Sequence, residues 1–196
     1  MPEDALLRAA REQAYEVGLT PVTQATGAAL RLVAAAGNAR AVVEVGTGTG
    51  VSGLWLLRGM RADGVLTTID VEGEHQRVAR RLFAAAGLAP SRSRIITGRA
   101  LDVLPRLADG VYDLVFVHHD PREYQAVTAQ AARLLRPGGS LVLGGALAGG
   151  RVADPTARDL ETVTVREAVK ALREAEEWTT ALLPTIDGLL CAVKRP

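Results

Sequence analysis

Short runs of valine, leucine, isoleucine and threonine recur along the chain, and between them apolar residues return every three or four positions. The short runs predict strands at residues 41–45, 65–70, 93–97, 111–117 and 140–144. The helical-period stretches predict helices at 51–60, 74–87, 99–107, 122–135 and 156–176. Two alanine- and leucine-rich helical segments, 3–16 and 22–36, come first, separated by the Gly18-Leu19-Thr20-Pro21 break. Pro137-Gly138-Gly139 ends one helix and turns the chain into the fifth strand. Aliphatic strands alternating with helices describe a mostly parallel sheet with crossover helices, a doubly wound α/β fold. The tail differs: apolar runs at 178–183 and 189–193 flank Pro184-Thr185-Ile186-Asp187-Gly188, whose Asp-Gly pair suits a hairpin. A C-terminal antiparallel pair therefore closes the sheet. The expected organisation is one domain over 1–196, with N-terminal helices at 1–37 and the α/β core at 38–196.

The first strand runs into a glycine-rich turn, Val42-Val43-Glu44-Val45-Gly46-Thr47-Gly48-Thr49-Gly50-Val51-Ser52, and the second ends in Asp70. Glycines let the backbone approach a ligand closely, and the helix that follows offers unpaired N–H groups. An acid at the tip of the next strand can accept hydrogen bonds from a ribose diol. The pattern points to an adenosine-containing ligand. Two registers compete. Gly48-x-Gly50-x-x-Gly53 satisfies the dinucleotide fingerprint, which alone is weak; Glu44-x-Gly46-x-Gly48-x-Gly50 is the form that binds S-adenosyl-L-methionine. Glu44 favours the second, because a carboxylate on a buried strand is costly without a partner and the zwitterionic methionine end helps organise one. A bland alternative has Glu44 only capping the turn. The antiparallel tail, with no stretch left for a separate substrate domain, argues against a nicotinamide enzyme.

Composition narrows the field further. With 196 residues and a net charge of +1, the chain can bury a full core and has no basic block to suggest nucleic acid. Aromatics at 4% leave little for base stacking. The single cysteine, Cys191, lies in an apolar run and reads as a small buried hydrophobe. Pro2, Glu3 and Asp4 are not the basic start of a signal peptide, and no apolar stretch reaches the ~20 residues that span a bilayer, so the expectation is a cytoplasmic protein without a membrane partner.

Ordered blocks along nearly the whole chain, among them "VVEVGTGTGVSGLWLL", "GVLTTID", "YDLVFVHHDPREY", "RLLRPGGSLVL" and "LLPTIDGLLCAVKR", resemble the bacterial O-methyltransferases related to catechol and caffeoyl-CoA O-methyltransferases. The likeness is greatest to an actinobacterial branch. It implies a Rossmann-like methyltransferase sandwich that uses S-adenosyl-L-methionine and releases S-adenosyl-L-homocysteine. It places Val22, Thr23, Glu44, Gly46, Thr47, Gly48 and Ser52 around the methionine end of that cofactor. It gives Asp70 the ribose hydroxyls, Val71 the adenine face, and Gly98, Arg99 and Ala100 the adenine pocket, with His118 and His119 close by. Arg99 departs from the family's usual small acidic form.

The catalytic apparatus departs more. Where the family reads Asp-Ala-Asp-Lys after the fourth strand, this chain reads His118-His119-Asp120-Pro121; where the family has the ligands Asp-Asn after the fifth, this chain has Gly144-Gly145. The three metal ligands and the lysine base are all replaced. The expectation is an enzyme with no metal site, acting on a small-molecule acceptor with His118 or His119 as base. Alternatives are a lapsed S-adenosyl-L-methionine-binding protein, a remodelled transition-metal site at His118-His119-Asp120, or a polar strand end without a role. Trp55 reads as core, His75 as solvated, Tyr124 as helix packing or a contact to ligand, and Arg151, Asp154 and Asp159 as surface charge. The apolar N-terminal helices suggest a homodimer.

Overall fold

The structure, a computed structural model, describes residues 3–196. Strands β1 (Ala41–Val45), β2 (Val65–Asp70), β3 (Ser93–Thr97), β4 (Tyr112–Val117), β5 (Leu135–Gly144), β6 (Trp178–Leu183) and β7 (Leu189–Lys194) form one sheet in the order β3-β2-β1-β4-β5-β7-β6. The first five are parallel; β7 runs antiparallel between β5 and β6. Helices α1 (Ala5–Glu16), α2 (Gln24–Ala36), α3 (Val51–Gly59), α4 (Gly73–Ala85), α5 (Ala100–Val103), α6 (Tyr124–Leu134) and α7 (Leu160–Glu174) cover it.

Alternation along each strand assigns the two faces. Val43, Val45, Val115, Val117, Leu141 and Leu143 pack with α5, α6 and α7. Val42, Leu66, Leu114, Phe116 and Val142 point the other way, against α1 to α4. Both faces are buried, which is why these strands read as nearly continuous aliphatic runs. Strand order reverses between β1 and β4, and the crevice beyond the C-terminal ends of these two strands is where doubly wound folds bind ligands.

Boundaries moved where local chemistry overrode periodicity. The helix expected from residue 22 begins at Gln24, because Thr23 is its N-cap and accepts from the Thr26 N–H at 3.2 Å. The helix expected at 99–107 splits at Pro105 into α5 and a 3-10 turn, Leu104–Arg106. The one expected from 156 starts at Leu160, with Asp159 as its cap. The helix expected at 122–135 opens with a 3-10 turn, Pro121–Glu123, and continues as α6 from Tyr124 to Leu134. β5 begins at Leu135 rather than residue 140, since Leu135 pairs with Tyr112 before the register shifts around Pro137-Gly138-Gly139. Trp55 is core, as expected. Its indole is packed so closely against α2 that a Cβ at Gly27 would collide with it.

Candidate active site

The turn after β1 needs its glycines. Gly46, Gly48 and Gly50 have φ of 98°, 47° and 92°, a region that costs other residues strain. Gly46 is doubly constrained, because a Cβ there would run into the carbonyl oxygen of His118. The approach follows from the sheet: the His118 N–H donates to the Val45 carbonyl at 2.9 Å. Asp70, at the end of β2, is aimed by backbone. Its Oδ2 accepts from the Gly48 N–H at 2.8 Å and its Oδ1 from the Glu72 N–H at 3.0 Å.

Glu44 lies fully buried beneath this turn. Ser52 Oγ donates to its Oε1 and Thr68 Oγ1 to its Oε2, each at 2.7 Å. Because the Thr68 proton goes to Glu44, the 2.7 Å contact between Thr47 and Thr68 hydroxyls is donated by Thr47. Gln76 Nε2 donates in turn to Thr47 Oγ1 at 3.3 Å. Burial outweighs the two hydroxyl bonds and pushes the Glu44 pKa up to about 7, with the Asp70 charge adding to the rise. The partners of Glu44 are thus Ser52 and Thr68, and Ser52 is the member of the set that reaches the ligand cleft.

That cleft has a volume of about 510 Å³, within the usual range for small-molecule sites. Of the residues singled out from sequence, Val22, Gly46, Thr47, Gly48, Ser52, Asp70, Val71, Gly98, Ala100, His118 and His119 line it. Thr23, Glu44 and Arg99 lie outside the lining, each for a physical reason. The Thr23 hydroxyl is turned to its own helix, Glu44 is covered by Ser52, and Arg99 donates to Glu123 Oε1 at 2.9 Å. Sequence reading missed the Leu19–Pro21 crossing, Glu161 on α7 and Asp187 in the β6–β7 turn, all of which line the cleft. Arg151 is exposed, as the surface charge expected, and it also lines the cleft, 3.5 Å from Asp159. Asp154 and Asp159 do cap turns, accepting from the Thr156 and Thr162 N–H groups. Tyr124 is buried, lines the cleft and donates its hydroxyl to the Gly144 carbonyl at 2.9 Å. Burial raises its pKa, so the phenol stays protonated.

The two histidines differ. His118 stacks on Phe116, with centroids 6.1 Å apart and planes 16° from parallel. Burial lowers its pKa, partly offset by the Asp187 carboxylate and reinforced by His119. His119 stacks on Tyr124 at 5.7 Å. Its Nε2 is 3.3 Å from Glu123 Oε2 but outside hydrogen-bond geometry, which leaves both buried ring nitrogens without a hydrogen-bond partner. Burial lowers its pKa as well, against the pull of Glu123. Both imidazoles are neutral at pH 7, the form that accepts a proton.

The residues present do not fit the divalent ion that the resemblance implies. Gly144 and Gly145 carry no side chain, and a Cβ on Gly144 would lie 2.6 Å from His118 Cδ2, so the imidazole occupies the space a ligand there would use. Asp120 is taken by Arg122, whose Nε lies 2.9 Å from both carboxylate oxygens and whose guanidinium holds the Asp120 pKa down at about 2. Among the described residues no three His, Cys, Asp or Glu side chains converge as a metal site, and Mg²⁺ asks for several hard oxygen ligands.

A family model described as O-methyltransferase matches residues 3–195. Probable O-methyltransferase Rv1220c of Mycobacterium tuberculosis (strain H37Rv) is 55% identical over 192 residues, 98% of this chain and 86% of that protein. Among solved structures, a Corynebacterium glutamicum protein superposes with a TM-score of 0.93 at 40% identity, over 100% of this chain and 92% of its own. The O-methyltransferase TomG of Streptomyces achromogenes, involved in tomaymycin synthesis and solved with S-adenosyl-L-methionine, gives 0.90 at 31% identity over the same shares. This chain belongs to the O-methyltransferase family. Its fold is the Rossmann-like methyltransferase sandwich, and no helix among the described residues is long and apolar enough to cross a membrane.

Proposed function

We propose that this chain transfers a methyl group from S-adenosyl-L-methionine to the hydroxyl or carboxylate of a small-molecule acceptor without a divalent metal. One observation carries the reading: the glycine turn, Asp70 and His118 share one cleft at the strand-order reversal, whereas of the three positions where the resemblance implies metal ligands two are glycines and the third is His118 itself. TomG, with its bound S-adenosyl-L-methionine, supports the donor. When bound, the donor supplies an electrophilic methyl group on sulfonium and leaves as S-adenosyl-L-homocysteine.

The chain's own residues bind, orient and take up a proton. Asp70 accepts from the ribose hydroxyls, and Ser52, fixed by Glu44, meets the methionine end along with Val22, Gly46, Thr47 and Gly48. Gly98, Ala100 and Val71 enclose the adenine, with Arg99 acting from outside the cleft through Glu123 and Thr23 by starting α2. His119 lies against the adenosine, and His118 accepts the acceptor's proton. Holding two reactants in line supplies up to ~7–11 kcal/mol of a barrier, so an acceptor that ionises readily needs no metal. Transfer of labelled methyl to a panel of acidic phenols and carboxylic acids should proceed equally in EDTA and in Mg²⁺. Transfer seen only with Mg²⁺ would oppose the reading.

A second reading, a protein that binds the donor but has lost transfer, is favoured by the absence of a metal ligand at Gly144 and Gly145; label that never leaves the donor would select it. The protein acts in the cytoplasm as one domain. Exposed Tyr15, Val17 and Leu32 on and beside the N-terminal helices support a homodimer, and the even charge balance supports neither a nucleic-acid nor a membrane partner.

A further inference from the structure

We propose that Asp187, which lines the same cleft as His118, is the positioning residue for it, and that Gly144 supplies the room in which the imidazole is held. The inference rests on the methyl-transfer reading only for the identity of the reaction. The pairing itself rests on how three separated segments meet.

His118 is fixed on two sides. Its backbone is tied to β1 through the Val45 carbonyl at 2.9 Å, and its ring lies over Phe116 at 6.1 Å. On the β5 side the ring sits where a side chain of residue 144 would be: a Cβ there would come within 2.6 Å of Cδ2 and 3.1 Å of Cγ. The φ of Gly144 is not in the left-handed region, so no conformational need explains this glycine. What explains it is the imidazole.

Asp187 arrives from the far end of the sequence. The β6–β7 turn is tied to the segment after β5 by two backbone bonds, Leu147 N–H to the Asp187 carbonyl at 2.9 Å and Ala146 N–H to the Gly188 carbonyl at 3.1 Å. Gly188 has a φ of 75°, and a Cβ there would collide with Leu147. Main chain alone thus delivers Asp187 to the cleft. Its carboxylate makes no hydrogen bond or ion pair among the described residues, and the charge it brings favours protonated His118. The other ionisable groups sharing the cleft are His119 beside it, Asp70, Arg151, Glu161 and the protonated Tyr124.

A base that takes a proton in a water-poor site needs a counter-charge for its cationic form, the role a carboxylate has behind a catalytic histidine. In the transfer, the acceptor O–H bond breaks and its electron pair forms the bond to the methyl carbon. The carbon–sulfur bond breaks with its pair to sulfur, and the proton passes to the His118 ring and then to solvent. Asp187 stabilises the imidazolium between those two events.

The test uses full-length protein and does not need the acceptor. NMR titration of the three histidines in Asp187→Asn should lower the midpoint of the one resonance that His118→Gln removes, by ~0.5–1 pH unit as expected for losing a nearby opposite charge. Gly144→Ala should move the shift of that same resonance. With an acceptor in hand, Asp187→Asn should cut kcat by ~10–100-fold, more than it raises KM for the donor, with the acid limb of the pH profile displaced downward. An unmoved His118 midpoint overturns the pairing; a moved midpoint with kcat and pH profile unchanged overturns the catalytic role. No transfer by the unsubstituted chain, with the midpoint shift present, overturns the reaction reading and leaves the pairing standing.

Discussion

Replacing Glu44 with Gln probes the buried end of the site, and the size of the effect follows from its surroundings. Folded Glu44 gives up its proton at about 7 against an ordinary 4.5, because burial outweighs the bonds from Ser52 and Thr68. Between those values the folded protein holds a proton that the unfolded chain has released, so stability falls as pH rises and the loss is complete above the upper value. At about 1.4 kcal/mol per pH unit, the window from pH 5 to pH 8 is worth roughly 2–3 kcal/mol. His118 and His119 act in the opposite sense. Their pKa values lie below the ordinary 6.5, so their contribution grows as pH rises toward that value. The wild-type curve therefore mixes the two effects, and subtracting Glu44→Gln isolates one. Urea unfolding of cofactor-free protein, followed by circular dichroism from pH 5 to 8, should show wild type losing roughly 2–3 kcal/mol relative to Glu44→Gln. Parallel curves would refute the reasoning, since they would mean that the two hydroxyls keep Glu44 ionised in the folded state.

Asp70→Ala removes the acceptor of the Gly48 and Glu72 amides together with the ribose partner, and calorimetry should show donor affinity lower by at least about tenfold, given ~1.5–3 kcal/mol for a hydrogen bond to a charged group. Gly46→Ala places a Cβ against the His118 carbonyl at a φ of 98°, and a melting curve should show a loss of ~2 kcal/mol or more. Asp113 lies at the other end of the sheet, accepting from the Arg40 and Ala41 amides at 2.7 and 2.8 Å and from Arg136 Nε at 2.7 Å. Burial works to raise its pKa, but these donors together hold it below the ordinary 3.8. Asp113→Asn should cost ~1–3 kcal/mol in denaturant unfolding, an effect present above pH 3.8 and lost as pH falls through the lowered value, with donor affinity unchanged. Light scattering across a dilution series should give twice the chain mass; the mass of one chain would remove the dimer.

Much of the architecture could be read from pattern because the sheet is buried on both faces. β1, β2 and β3 coincide with the expected 41–45, 65–70 and 93–97; β1 and β2 are buried along most of their length, whereas the edge strand β3, only partly buried, was legible from its β-branched residues. The Asp187-Gly188 turn was equally legible as a turn. Its second property was not: nothing local tells that two backbone bonds would carry Asp187 into the cleft. Tyr124, read as helix packing or a contact to ligand, is buried and lines the cleft. Arg151 is the exposed charge that was expected, and only its place beside the cleft was not legible, because that depends on distant segments. Glu44 was recognised as needing a partner, but Ser52 and Thr68, eight and twenty-four residues away, are brought to it by the helix and strand that follow. The replacement of metal ligands by Gly144 and Gly145 was visible in the sequence. That His118 occupies the vacated space is a fact of three dimensions.

The central claim is that this cleft takes the methyl donor without help from a divalent ion. Calorimetric titration of cofactor-free protein with S-adenosyl-L-methionine and S-adenosyl-L-homocysteine, in EDTA-treated buffer and again with Mg²⁺, tests it directly. Saturable binding of both ligands, with the same affinity in either buffer, is the predicted result. Binding that appears only with Mg²⁺, or no binding of either ligand, would contradict it.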